Sequence, residues 1–132
     1  MAYWLLKTET EQYSYGSLER EGRTTWNGVR SPVALRWMRK MAQGDLAFIY
    51  HSGKERAIIG IAEVAREAYP EAGTGFPVVD LVPRERLTRA VSLAEVKSRP
   101  EFAGWELVRQ PRLSVIPVRP EHWDAIIMMS RG

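Results

Sequence analysis

The chain has 132 residues, 45% hydrophobic and 27% charged, which is the composition of one globular domain with a core of its own. It has no cysteine and only two histidines, which excludes disulfides, a cysteine nucleophile and thiolate zinc sites and argues against a multi-histidine metal centre. The formal net charge is +3, and the excess lies entirely in residues 1–66, a bias compatible with a polyanionic partner.

No apolar stretch approaches the roughly 20 residues needed to span a bilayer. The N-terminal run Met1–Lys7 lacks the features of a signal peptide, so we expect a soluble, cytoplasmic protein that forms one domain over residues 1–132. Glycine-rich phosphate loops and metal-ligating clusters are missing from the sequence, so we expect no cofactor and no metal.

Local signals predict a strand and a helix at the start of the chain. Tyr3–Lys7 is rich in aromatic and apolar residues and predicts an opening strand. Ser14 can cap a short helix that runs to about Arg20 and ends at Gly22, because serine accepts from free helix amides and glycine tolerates the left-handed turn.

A second helix is predicted after a loop around Trp26. Ser31 and Pro32 occupy its N-cap and first-turn positions, and Gly44 is predicted to close it. Its apolar stripe comprises Val33, Ala34, Trp37, Met38 and Met41. A separate basic stripe comprises Arg36, Arg39 and Lys40, which is interpreted either as a solvated face or as a set of phosphate contacts.

The remaining elements alternate between strands and short helices. Asp45–Tyr50 predicts a buried strand followed by the polar turn His51–Lys54, and Gly60 predicts a bulge or a close approach inside a strand over Ala57–Arg66. A further strand is predicted over Val78–Val82 and resumes past Pro83 toward Leu87, and the Ser92–Glu95 capping box predicts a helix that stops before Pro100.

The last predicted elements are a strand over Arg112–Val118 and a closing helix from Pro120, whose inward positions are Trp123, Ile126 and Ile127.

Five to six short strands mixed with several short helices predict an α+β fold, specifically a small, mixed, curled β-barrel with helical decorations. The strands are too few and the helices too irregular for a doubly wound sheet. A four-strand α+β sandwich is the alternative.

The segment Trp26–Pro32 has the residue types of a pocket for a flat ring. Trp26 offers a broad aromatic face, Gly28 permits close approach to the backbone, and Arg30 offers a planar cation. A tryptophan that only fills the core is the alternative interpretation.

Polar residues at two predicted strand ends are further candidates. Lys7 and Glu9 alternate with one residue between them, so on a strand they point to the same face, where they form either part of a pocket or a surface ion pair. The run Tyr50-His51-Ser52 is interpreted as a polar strand end, because sequence neighbours on a strand rarely face each other as a catalytic pair requires. Arg112 and Ser114 are likewise interpreted as polar residues at the edge of a strand.

Five strings in order give the chain a resemblance to a known family. They are Tyr3-Trp4-Leu5-x-Lys7-x-Glu9, Trp26-x-Gly28-Val29-Arg30, Gly44-Asp45 before Phe48-x-Tyr50-His51-Ser52, Ile59-Gly60 leading into Glu67-Ala68-Tyr69-Pro70, and Arg112-Leu113-Ser114-Val115-x-Pro117-Val118. Together they resemble the EVE domain, within the PUA-like superfamily, over nearly the whole chain from Tyr3 to about Ile127.

The resemblance implies a PUA-like pseudo-barrel whose pocket takes one base, typically a modified cytosine. One implied wall consists of Trp26, Val29, Arg30 and Ser31. The other implied residues are Tyr50, His51 and Ser52, with Lys7 and Glu9 nearby. Arg36, Arg39, Lys40 and Arg112 are expected to contact phosphates.

The sequence also departs from the family pattern. An acidic residue is usual where Asn27 stands, an asparagine where Ser31 stands, and a proline where Thr10 stands. Ser31 matters most, because serine is shorter than asparagine and its hydroxyl can be used to cap its own helix. The segment Gly73–Phe76 is shorter than usual in the family.

We therefore expect a non-catalytic domain that recognises a modified, cytosine-type base in DNA or RNA. We expect Trp26→Ala to abolish binding of a modified nucleotide without unfolding the protein. The alternatives are an RNA-binding accessory module that reads only the backbone and an amidohydrolase that acts on modified nucleosides, for which Lys7 and Glu9 would supply a base and a carboxylate.

Overall fold

A computed structural model describes all residues, 1–132. In chain order its elements are β1 (Tyr3–Glu9), α1 (Tyr15–Glu21), β2 (Thr24–Trp26), α2 (Pro32–Met38), β3 (Leu46–Ser52), β4 (Ala57–Pro70), β5 (Pro77–Ser92), α3 (Leu93–Lys97), a 3-10 turn (Pro100–Phe102), α4 (Glu106–Arg109), β6 (Val115–Val118) and α5 (Pro120–Arg131). None of the five helices combines the length and the apolar composition needed to cross a membrane.

The six strands form one mixed sheet in the order β2-β5-β4-β3-β1-β6. The interior strands β1 and β3 pair in parallel, and every other pair is antiparallel. The predicted α+β class is confirmed. The predicted curled β-barrel is supported only in part: β2 pairs only with β5 and β6 only with β1, so the sheet is not closed and keeps two free edges. Helix α2 packs against both β5 and β6, and a helix therefore fills the space that a closing ladder would have filled.

One continuous core holds these layers together. Its largest aromatic stack places the Trp123 ring between Phe48 and Tyr3, with centroid distances of 3.8 Å and 4.4 Å. The predicted inward positions Trp123 and Ile126 of α5 are buried, and Ile127 is half-buried. Stacking between neighbouring aromatic rings adds to the free energy gained by burying their area.

The local signals at α1 and α3 are confirmed. The Ser14 hydroxyl accepts from the Ser17 amide, and Gly22 ends α1 in the left-handed conformation at φ +75°. Ser92 and Glu95 form the reciprocal hydrogen bonds of a capping box at the start of α3. Each of these motifs depends on residues at most eight positions apart, which is why the sequence reveals them.

Helix α2 is shorter than predicted. It ends at Met38, not at Gly44, and buries Leu35 while leaving Val33 exposed. The chain turns early because the buried carboxylate of Asp45 accepts from the Ala42 amide, and also from the Ala2 amide and the Trp4 indole.

Other boundaries also differ from prediction: β6 begins at Val115 and not at Arg112, and β4 continues past Arg66 to Pro70. Trp26 ends a short edge strand, β2, and does not lie in a loop, and the predicted turn residues His51 and Ser52 continue β3. Trp26 and Ser52 are extended because each pairs with a neighbouring strand: Trp26 with Val79 in β5, and Ser52 with Glu9 in β1. Helix α4 was not predicted.

Gly60 lies at a close approach, as predicted. The register between β4 and β5 shifts between Ile58 and Gly60, and the Tyr15 ring of α1 lies directly against the Gly60 backbone. A β-carbon at this position would lie 2.7 Å from two Tyr15 ring atoms. The glycine therefore lets α1 pack on the sheet.

Candidate binding cavity

A cavity of about 670 Å³ opens beside the end of β1 and the loop that follows β2. This volume lies within the range of ordinary small-molecule sites. It is lined by Lys7, Thr8, Glu9, Gln12, Tyr13, Thr24, Thr25, Trp26, Asn27, Gly28, Val29, Arg30, Ser52, Pro111 and Ser114. Most of these side chains are polar, so the cavity can present hydrogen-bonding groups around a small apolar wall.

The structure brings six of the nine sequence-predicted pocket residues together. Those that line the cavity are Lys7, Glu9, Trp26, Val29, Arg30 and Ser52. Three do not line it: Ser31, Tyr50 and His51. The six come from three separate parts of the chain, namely β1, the end of β2 with its loop, and the end of β3.

Trp26 forms part of the apolar wall. Its side chain is only 7% exposed and belongs to the main core cluster. The Tyr13 ring meets it edge-on, with a centroid distance of 5.9 Å and an interplanar angle of 84°. Because Trp26 also supports the core, replacing it with alanine removes packing, so we expect Trp26→Ala to lower the stability of the fold as well as binding.

Lys7 brings a positive charge to the cavity. Its Nζ donates to the Pro111 carbonyl at 2.8 Å and lies 5.7 Å from the centroid of the Tyr50 ring. It forms no ion pair with a carboxylate. Burial lowers the pKa of the Lys7 ammonium. An ammonium has three donors, so the group can still donate to a ligand in the cavity.

The side chains at the end of β3 point in different directions. Ser52 lines the cavity, whereas Tyr50 is buried beneath Lys7 and burial raises its pKa. His51 lies outside the cavity: its Nε2 accepts from the Tyr15 amide at 3.0 Å, and its Nδ1 lies 2.9 Å from Glu55 Oε1. Because Nε2 accepts a backbone N–H, the ring proton is on Nδ1. His51 thus holds the start of α1.

Ser31 occupies the N-cap position of α2, but its hydroxyl makes no capping hydrogen bond. The side chain is exposed and lies next to the cavity-lining residue Arg30. The concern that helix capping uses up this hydroxyl therefore does not apply.

The loop after β2 is fastened to the turn between β4 and β5. Asn27 Nδ2 donates to Glu71 at 3.0 Å, and Thr74 Oγ1 donates to the same carboxylate at 2.9 Å. These two hydrogen bonds lower the pKa of Glu71. The Arg30 guanidinium lies 4.3 Å from the centroid of the Phe76 ring. Sequence reasoning missed this connection, because its partners are more than 40 residues apart.

A second network, also missed, fixes β2 to the sheet. The buried carboxylate of Asp80 accepts from Thr25 Oγ1 at 3.1 Å, from Arg23 at 3.0 Å and from the Tyr69 hydroxyl. Burial alone would raise the pKa of Asp80, but the hydrogen bonds from Tyr69, Arg23 and Thr25 hold it below its usual value. The signal in the sequence is one acidic residue inside the apolar run Val78–Val82.

We expect this carboxylate to make stability depend on acid pH. Since the pKa of Asp80 is lower in the folded state than in the unfolded state, its ionised form stabilises the fold above about pH 5, and this stabilisation is lost as the pH falls below about 4. The free energy of unfolding of Asp80→Asn, measured by urea denaturation, should therefore fall short of the wild-type value near pH 7 and approach it in acid. A gap that stays constant with pH would contradict this role.

The four predicted phosphate-contacting residues lie outside the cavity. Arg36, Arg39, Lys40 and Arg112 are all exposed, and none forms an ion pair within the chain. Lys40 Nζ lies 5.0 Å from the centroid of the Trp37 ring. Arg39 lines a smaller cavity of about 270 Å³ beside the β4–β5 turn.

The open mixed sheet and the polar cavity beside the parallel strands β1 and β3 define the class: a small α+β domain. The family model of the EVE domain matches residues 2–129, and the chain belongs to that family.

Individual relatives agree with this assignment. An NMR structure of a protein from Rhodopseudomonas palustris is 40% identical, covers 99% of this chain and 94% of that one, and superposes with a TM-score of 0.93. The human THYN1 protein, whose crystal structure is a complex with DNA containing 5-methylcytosine, is 26% identical, with coverages of 100% and 99% and a TM-score of 0.93. Thymocyte nuclear protein 1 of Rattus norvegicus is 28% identical over an alignment of 167 positions, gaps included, which covers 98% of this chain and 74% of that protein.

Proposed function

We propose that this domain binds DNA carrying a modified cytosine, such as 5-methylcytosine, and holds the modified base in the cavity beside Trp26. The observation that carries the proposal is the complex of human THYN1, a relative with a TM-score of 0.93, with DNA containing 5-methylcytosine. The domain acts in this proposal as a binding module that performs no chemistry on the base.

The residues that line the cavity suit a cytosine ring. The Watson–Crick edge of cytosine carries an amino donor and two acceptors. Glu9 supplies a carboxylate for the amino group, and Lys7 and Arg30 supply donors for the acceptors. Trp26 and Val29 supply apolar surface for the ring and its methyl group.

The energetic balance is also reasonable. Extruding a base from a duplex costs a few kcal/mol, and stacking on an aromatic side chain returns about 1–3 kcal/mol per base. Exposed cations that form no ion pair in the chain, namely Arg36, Arg39, Lys40 and Arg112, add phosphate contacts that weaken as salt concentration rises.

The test is a fluorescence-anisotropy titration of duplexes that differ only in one methyl group on a central cytosine. Burying one methyl group is worth about 0.8 kcal/mol, so we expect the methylated duplex to bind about fourfold more tightly. Equal affinities at every salt concentration would contradict the proposal and favour a module that reads only the backbone. The same titration with RNA of identical sequence distinguishes DNA from RNA as the partner.

A further inference from the structure

Phe76 is an exposed aromatic side chain at the edge of the cavity. It is 36% exposed and is one of four large apolar side chains exposed on the molecule. It does not line the cavity, but the Arg30 guanidinium, which does, lies 4.3 Å from the centroid of its ring. The ring and the guanidinium thus form a layered pair beside the opening.

The turn that carries Phe76 is rigidly held. The Glu71 amide donates to the Phe76 carbonyl at 2.9 Å, and the Phe76 amide donates to Thr74 Oγ1 at 3.2 Å. The Glu71 carboxylate in turn accepts from Asn27, a residue of the cavity wall. These hydrogen bonds fix the position of Phe76 relative to the cavity, so little conformational freedom is left to lose on binding.

A base that leaves a duplex leaves a gap between its former neighbours and a partner base without a pair. Proteins that kink or open duplexes fill such gaps with inserted apolar side chains, and aromatic rings stack on bases of any sequence. The side chain that fills the gap must lie beside the pocket that receives the base and must not occupy it. Phe76 meets both conditions.

We propose that Phe76, supported by the Arg30 guanidinium, is a wedge that enters the duplex beside the extruded base and stacks in the gap. The inference rests on the proposed function, since it presupposes that the cavity receives a base from double-stranded DNA. The wedge contributes only where a stack has to be opened. It is dispensable for a base in a single strand, which is not enclosed in a duplex stack.

The experiment compares Phe76→Ala with the wild type on three DNAs of one sequence, each prepared with a single 5-methylcytosine and with cytosine at the same position. These are a single strand, a fully paired duplex, and a duplex with an abasic site opposite the modified base. We expect Phe76→Ala to bind the paired duplex about tenfold more weakly, to bind the abasic duplex with a smaller loss because its base is unpaired but still stacked, and to bind the single strand within about twofold of the wild type. Met128→Ala, which removes another exposed apolar side chain from α5, is the matched control and should change none of the three affinities.

Three outcomes overturn the inference. An equal loss of affinity on all three DNAs shows that Phe76 supports the cavity or the fold. Circular dichroism melts of Phe76→Ala and Met128→Ala show whether the fold is what is lost. Unchanged binding of the paired duplex shows that no wedge is needed. If the wild type prefers methylated DNA in either of these cases, the proposed function stands and only the wedge fails. If the wild type shows no preference for the methyl group in any of the three DNAs, both fail.

Discussion

Trp26→Ala is expected to weaken both the fold and the binding of methylated DNA. The side chain is 7% exposed, and truncating a buried tryptophan typically lowers the free energy of unfolding by about 3–5 kcal/mol. Loss of the part of the ring that reaches the cavity should separately weaken binding by about 1 kcal/mol, the lower end of the value for aromatic stacking, because most of the ring is buried. Urea denaturation measures the first effect, and anisotropy titration at a temperature where the variant is folded measures the second.

Trp123→Ala is the matched control for this experiment. Trp123 is 6% exposed, stacks between Phe48 and Tyr3, and lies outside the cavity. Its truncation should lower stability by a comparable amount and leave the affinity of the folded protein unchanged. If the two variants lost affinity equally, destabilisation would explain the loss and Trp26 would have no direct role in binding.

Gly60→Ala is expected to destabilise the domain by about 3 kcal/mol, which is a large effect for one methyl group. The added carbon would lie 2.7 Å from the Tyr15 ring, and the ring cannot move away easily. The Tyr15 side chain is fully buried, and its hydroxyl donates to the Ile61 carbonyl at 2.7 Å. Separating the ring from the sheet would therefore break this hydrogen bond and open the contact between α1 and β4. Urea denaturation gives the change.

Gly104→Ala is the control for the glycine substitution. No heavy atom lies within 4 Å of a β-carbon built on Gly104, and its φ lies outside the left-handed region. Its free energy of unfolding should stay within about 0.5 kcal/mol of the wild-type value. Equal stability of the Gly60 and Gly104 variants would mean that Tyr15 does not pack as described.

The parts of the fold that the sequence predicts correctly are those with local causes. Ser14 and Gly22 bound α1, and the Ser92–Glu95 capping box starts α3, through hydrogen bonds between residues close in sequence. The sequence could not predict that the curled sheet stays open, because this depends on whether β2 meets β6, two strands some 90 residues apart. Neither strand carries a sequence signal for its partner, and in the structure α2 packs between β5 and β6, where a closing strand pair would lie.

The same distinction applies to the cavity. Lys7, Trp26 and Arg30 meet there, and the order of motifs in the resemblance was enough to group them. The resemblance also placed His51 and Tyr50 with them, but the His51 ring accepts from the Tyr15 amide of α1 and Tyr50 is buried beneath Lys7, so neither lines the cavity. The Asp80 network and the Glu71–Asn27 hydrogen bond join residues that are distant in sequence, and only the structure reveals them.

The most direct test of the central claim is a 1H–15N NMR titration that follows the indole N–H signals of the five tryptophans. An oligonucleotide with one 5-methylcytosine should shift the Trp26 signal most, and the signals of Trp105 and Trp123, which are buried away from the cavity, should stay in place. The unmethylated oligonucleotide at the same concentration should shift the Trp26 signal less. An unmoved Trp26 signal under saturating methylated DNA would contradict the placement of the base in this cavity.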